Sequence, residues 1–128
     1  MLMKYSFKMY SSKITVNLFN EIKFNKMSIS LINFYEKKDF NYNMLICVNG
    51  CNDNIFINDD GMIIKYTSQI ILSGKSSNQI LYKNDTAWDY ETKNQKTIIS
   101  LDIDIYINGY YDDQINDNNG MIIELNFD

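Results

Sequence analysis

Residues 46–64 can be laid on residues 105–123 without a gap, and this near-repetition constrains the fold more than any other feature of the chain. Ile46, Asn49, Gly50, Asp53, Gly61, Met62, Ile63 and Ile64 meet Ile105, Asn108, Gly109, Asp112, Gly120, Met121, Ile122 and Ile123. Each copy reads as an apolar strand, an Asn-Gly turn, an acidic stretch, a second Gly turn and another apolar strand, which is the grammar of a β-hairpin-like unit used twice. The copies diverge in character. Where the first has Leu45, Cys47 and Lys65, the second has Asp104, Tyr106 and Glu124, so the first reads as covered and the second as presented to a partner.

Strand patterning extends along the chain. From Thr97 to Asn108, Ile99, Leu101, Ile103, Ile105 and Ile107 alternate with Ser100, Asp102, Asp104, Tyr106 and Asn108, giving one core face and one wet face. Met121, Ile123, Leu125 and Phe127 alternate likewise with Ile122, Glu124, Asn126 and Asp128. Further strands are expected over residues 4–10, 13–18, 27–34, 43–48, 62–67 and 69–72, separated by Ser, Asn, Asp and Gly turns. Short helices have room only at 17–26 and 76–83, and neither stretch sustains a 3.6-residue period. The expectation is one all-β domain spanning residues 1–128. It would be a sandwich or a strongly bent antiparallel sheet built from the two related units.

The 128 residues are 45% apolar and include 18 aromatics, enough for a core without disulfide or metal staples. Twenty Ile and eighteen Asn stand beside no Arg, no Pro, no His and one Ala, a bias expected of an AT-rich gene such as a phage or mobile element carries. Lys4 and Lys8 interrupt the N-terminal apolar run, so no signal peptide or membrane span is read there and the cytosol is the default compartment.

Absent residue types exclude chemistry. Without His or Arg there is no His-based triad, no arginine clamp and no HExxH-type metal motif. Asp102 and Asp104 could form a carboxylate pair, but acids two apart on an exposed strand usually serve a surface. Cys47 and Cys51 straddle the Asn49-Gly50 turn, and a lone CxxxC lacks the second pair a zinc site needs. The loops at Asn58–Gly61 and Asp117–Gly120 fail the EF-hand pattern, which would put Phe56 or Ile115 at its first position and Ser68 or Asn126 at its last. No cofactor or metal is expected and the chain reads as non-catalytic. Trp88 is a core anchor or a sugar-stacking platform.

Charge supplies the functional reading. Residues 1–50 hold seven Lys and three acids, residues 51–100 five Lys and six acids, and residues 101–128 no Lys and seven acids. Such an end repels nucleic acid and attracts a basic protein. Asp102, Asp104 and Tyr106 share one strand face at i, i+2, i+4 spacing, and Glu124 joins them if its strand lies alongside. Tyr110, Tyr111, Asp112, Asp113 and Asp117 add aromatics and acids between the strands, and tyrosine with carboxylate is a common recognition pairing. The candidate partner-binding set is therefore Asp102, Asp104, Tyr106, Tyr110, Tyr111, Asp112, Asp113, Asp117 and Glu124.

In this profile the chain resembles the immunity proteins of bacterial contact-dependent growth inhibition and related toxin systems. The resemblance is carried by Asp102, Asp104, Tyr106 and Tyr110 to Asp113. It implies stoichiometric binding to a basic nuclease toxin, with the acids standing in for substrate phosphates, by a monomer or dimer. Two other readings stay open: a phage or viral counter-defence protein that mimics nucleic acid, and a carbohydrate-binding or structural β-sandwich.

Overall fold

The structure is a computed structural model that describes residues 2–36, 38–75, 79–84, 87–111 and 121–128. Among them there is no helix: ten strands form a curled antiparallel sheet, a half-barrel, with a second small sheet. β1 (Met3–Met9), β2 (Lys13–Tyr35) and β3 (Phe40–Val48) lead into the two-stranded ribbon of β4 (Asn54–Ile57) and β5 (Ile63–Tyr66). β6 (Ser68–Gly74), β7 (Gln79–Lys83), β8 (Tyr90–Ile107), β9 (Tyr110–Tyr111) and β10 (Met121–Phe127) follow. The main sheet runs β1-β10-β2-β8-β3-β6, with β7 added to β2 and β9 to β8.

The 23-residue β2 makes the curl possible, because it pairs β8 along residues 13–27 and then β10 and β7 along its second half. Register shifts bend it. At the first, residues 18–21 bulge opposite Ile99 alone. At the second, Asn25 and Lys26 both donate backbone N–H to the Asp128 carbonyl, at 2.8 and 2.9 Å. At the third, between Glu124 and Leu125 on β10, Ser30 on β2 is passed over, and its hydroxyl donates to the Glu124 carbonyl at 3.3 Å. A skipped residue switches which parity points inward, so the core residues of β2 run Ile22, Phe24, then Met27, Ile29, then Ile32, Phe34.

Residues 17–26, with room for a short helix by sequence, are therefore strand. Ile22 and Phe24 are buried two apart, and residues 17, 22–24 and 26 pair with β8. Residues 79–83 are likewise strand, paired with residues 31–35. The first bulge also overturns the placement of Ile99 in the core: β8 changes parity there, Ile98 is buried and Ile99 is 72% exposed.

The concave face is filled by Ile, Met and aromatic side chains. Phe24 packs edge-on against Phe127 (5.0 Å between centroids) and Tyr90 (6.2 Å), while Phe34 packs edge-on against Phe40 (5.3 Å). On the convex side, Phe56 and Ile64 of the ribbon cover Leu45, Cys47 and Tyr106 in a second, smaller apolar cluster. Leu45 and Cys47 are buried as the sequence led one to expect, but Lys65 is exposed, because it points from the opposite face of the ribbon to Ile64. Trp88 is half-buried with the Lys26 ammonium 5.8 Å from its ring, so it is neither a core anchor nor an open platform. Among the described residues, no helix is long and apolar enough to cross a membrane.

Candidate functional site

Asp102, Asp104 and Tyr106 do share the convex face of β8, because Leu101, Ile103, Ile105 and Ile107 take the concave one. Each is half-buried rather than free. Asp102 accepts from the Thr15 hydroxyl at 2.8 Å, and its own N–H donates to the Asn49 side-chain oxygen at 2.9 Å. Asp104 stands in register between Lys13 on β2 and Cys47 on β3.

Glu124 is not part of that face. Its strand lies between β1 and β2, so β2 separates it from β8, and Glu124 is opposite Ser6 and Leu31. Its carboxylate meets the Lys4 ammonium at 3.2 Å and accepts from the Ser30 hydroxyl at 3.2 Å. Asn126, on the same strand, goes with it, and Asp128 follows directly after the strand. The charge gradient along the sequence is thus folded back on itself: antiparallel pairing sets β1 with Lys4 and Lys8 against β10, and Lys13 against Asp104. The field expected of an acidic end without a neighbouring cation is correspondingly reduced. Asp112, Asp113 and Asp117 lie outside the described residues.

The turn after β8 joins the two copies of the repeat. Asn108 (φ 55°) and Gly109 (φ 86°) form a two-residue hairpin loop, both in the left-handed region as a type I′ turn requires. The loop returns the chain so that Tyr111 faces Tyr106 and Tyr110 faces Ile107. The Tyr106 and Tyr111 rings meet edge to face, 5.6 Å between centroids and 69° between planes. Burial, then Cys47, Asp104 and Tyr111, pushes the Tyr106 hydroxyl above its ordinary range.

The partner of this turn is the loop of the β4–β5 ribbon. Asn58, buried, accepts from the N–H groups of Asp60 (3.0 Å) and Met62 (2.9 Å) and donates from Nδ2 to the Gly109 carbonyl at 2.9 Å. The approach is close enough that a Cβ on Gly109 would lie 3.2 Å from both Asn58 Cβ and Phe56 Cε1. Tyr110 then reaches Asp60, its hydroxyl donating at 3.0 Å; that bond is the main reason its ionisation is pushed up.

The structure therefore brings Asp104, Tyr106, Tyr110 and Tyr111 to one end of the sheet and adds Asn58, Asp59 and Asp60. Sequence reasoning passed over these three as a failed calcium loop. Their signal was the Asn-Asp-Asp-Gly order itself, since an Asn side chain that closes its own turn holds a loop ready to present the acids that follow. Beside Tyr110, a groove of about 450 Å³ is lined by Lys38, Asp39, Phe40, Tyr42 and Ile107.

Chemically, this surface offers carboxylates and phenol hydroxyls as hydrogen-bonding groups around an aromatic pair. Among the described residues no three His, Cys, Asp or Glu side chains come together as a metal would need. Cys47 and Cys51 are free thiols, both buried, and burial pushes each up to about 12. No known family, no characterised protein and no solved structure matches the chain.

Proposed function

We propose that the protein is a non-catalytic, cytoplasmic binding protein that neutralises a basic, nuclease-type bacterial toxin by stoichiometric occlusion of its active site. The observation that carries this reading is the edge-to-face pair Tyr106–Tyr111 beside Asp104, with Tyr110 tied to Asp60 next to it. Rigid aromatics flanked by carboxylates make good anchors, because few rotamers are lost on binding and the acids can meet the Lys or Arg groups that otherwise hold phosphate. The hydrogen bonds of Asp102 and Tyr110 fix them before any partner arrives, which lowers the ordering cost of association.

The contact is centred on the end of β8 and β9 and on the Asp59-Asp60 loop, and Glu124, neutralised by Lys4, stands apart from it. The test is coexpression with the toxin encoded beside it. Growth should be rescued in proportion to the amount of this protein, and association should slow as salt is raised. Rescue at far less than one copy per toxin would point to an enzymatic antidote instead.

A further inference from the structure

We infer that the outer face of the β4–β5 ribbon is a self-association surface whose occupant is the same ribbon of a second copy of this chain, laid antiparallel across it. The inner face of the ribbon is spent on Leu45, Cys47 and Tyr106. Its outer face holds Ile55, Ile57 and Ile63, which are 63%, 62% and 62% exposed. Ile57 and Ile63 are cross-strand partners, and Ile55 is opposite Lys65, so all four side chains leave the same side. A two-stranded ribbon with three branched apolar side chains facing water is an unfinished layer.

Charge selects a second copy as what finishes it. Two residues beyond Ile63 on the base side is Lys65, and two residues beyond Ile57 on the tip side is Asp59. Among the described residues, neither has a salt-bridge partner within the chain. A two-fold axis through the Ile57–Ile63 level would stack those two side chains on their counterparts. It would also set Lys65 of each copy over the Asp59 loop of the other, which is the self-complementarity an isologous interface demands. The patch is small, so the dimer is weak and concentration-dependent, of micromolar order. This surface shares only the Asp59 loop with the Tyr106–Tyr111 face, and its test needs no other partner.

Sedimentation velocity on the full chain over a wide concentration range should show the mass rising from 15.1 kDa towards twice that value. Ile57→Ser with Ile63→Ser should abolish the rise while leaving the melting temperature at dilution, where the wild type is monomeric, close to wild type, since both side chains are exposed. Lys65→Glu should weaken the dimer by about tenfold or more, and Lys65→Glu combined with Asp59→Lys should restore it, because the pairing is reciprocal. A chain that stays monomeric at every concentration, or a dimer indifferent to the Ile pair, overturns the inference. So does a double charge swap that fails to recover association.

Discussion

Ile46 and Ile105, the first matched pair of the internal repeat, stand directly opposite one another on the antiparallel strands β3 and β8. Antiparallel pairing of equivalent residues creates a local two-fold axis, and the flanking hydrogen bonds obey it. Asn49 donates its N–H to the Asp102 carbonyl (3.1 Å) and accepts from Asp102 N–H on its side chain (2.9 Å). Asn108 donates to the Asn43 carbonyl (2.9 Å) and accepts from Asn43 N–H (3.0 Å). Each Asn therefore terminates the ladder at one end of the pair. Asn108→Ala should lower unfolding free energy by about 1 kcal/mol through the lost side-chain bond, and Asn49→Ala by about 2 kcal/mol, because the Asn49 Nδ2 also donates to the Ser100 carbonyl at 2.9 Å. In Asn108→Ala backbone strain adds about 1 kcal/mol, because position 108, unlike position 49, holds a positive φ of 55°. Denaturant melts of both variants, with Asn108→Gly recovering the backbone part alone, would check this.

The two repeat copies also meet through their loops, which makes Gly109 and Gly61 unequal. Both have positive φ, but a Cβ at Gly61 meets nothing within 4 Å, whereas one at Gly109 meets Asn58 and Phe56 at 3.2 Å. Gly61→Ala should cost about 1 kcal/mol from backbone strain. Gly109→Ala should cost roughly 2 to 3 kcal/mol and should disturb the Tyr110–Asp60 contact, visible as a shift of the Tyr110 ring resonances.

The alternation that places Leu101 to Ile107 was legible in the sequence because one buried face imposes period two. Ile99 was not, since a bulge on the neighbouring strand inverted the parity at a distance. The acids of β8 were legible as a shared face for the same reason as the apolar residues. Glu124 was not, because strand order depends on long-range pairing, and β2 inserts between β10 and β8. Nor could a charge sum along the chain foresee that antiparallel pairing would lay Lys4 on Glu124 and Lys13 opposite Asp104. Asn58 was legible only as a turn former; its grip on Gly109 required the two loops to be brought together.

Asp89 should make stability depend on pH in the sense opposite to most carboxylates. Its Oδ2 accepts from Ile29 N–H at 2.7 Å, yet burial is the larger effect and raises its ionisation above the ordinary 3.8. The folded state therefore binds the proton more tightly than the unfolded chain, so this group's contribution falls as pH rises from 3.8 through the raised value. Asp89→Asn keeps an acceptor for Ile29 and removes the buried charge. Melts across that window should show the variant more stable than wild type at neutral pH and the two converging in acid.

Cys47 and Cys51, held near 12 by burial, have almost no thiolate at neutral pH. Alkylation of the folded protein at mildly alkaline pH should be at least about a hundredfold slower than of the unfolded chain, for both residues together. Mass spectrometry of an iodoacetamide time course, with and without denaturant, reads this directly. Rapid native labelling of Cys47 would show that the ribbon opens easily from β3.

The most direct test of the proposed function is calorimetric titration of the purified protein into the basic toxin domain expected to be encoded beside it, for the wild type and for Asp104→Ala with Tyr111→Ala. The expected result is one-to-one binding, with the double variant weaker by at least about 2 kcal/mol while its melting temperature stays close to wild type. Unchanged affinity in that variant, or protection of cells at far below equal stoichiometry, would contradict occlusion through the β8–β9 end of the sheet.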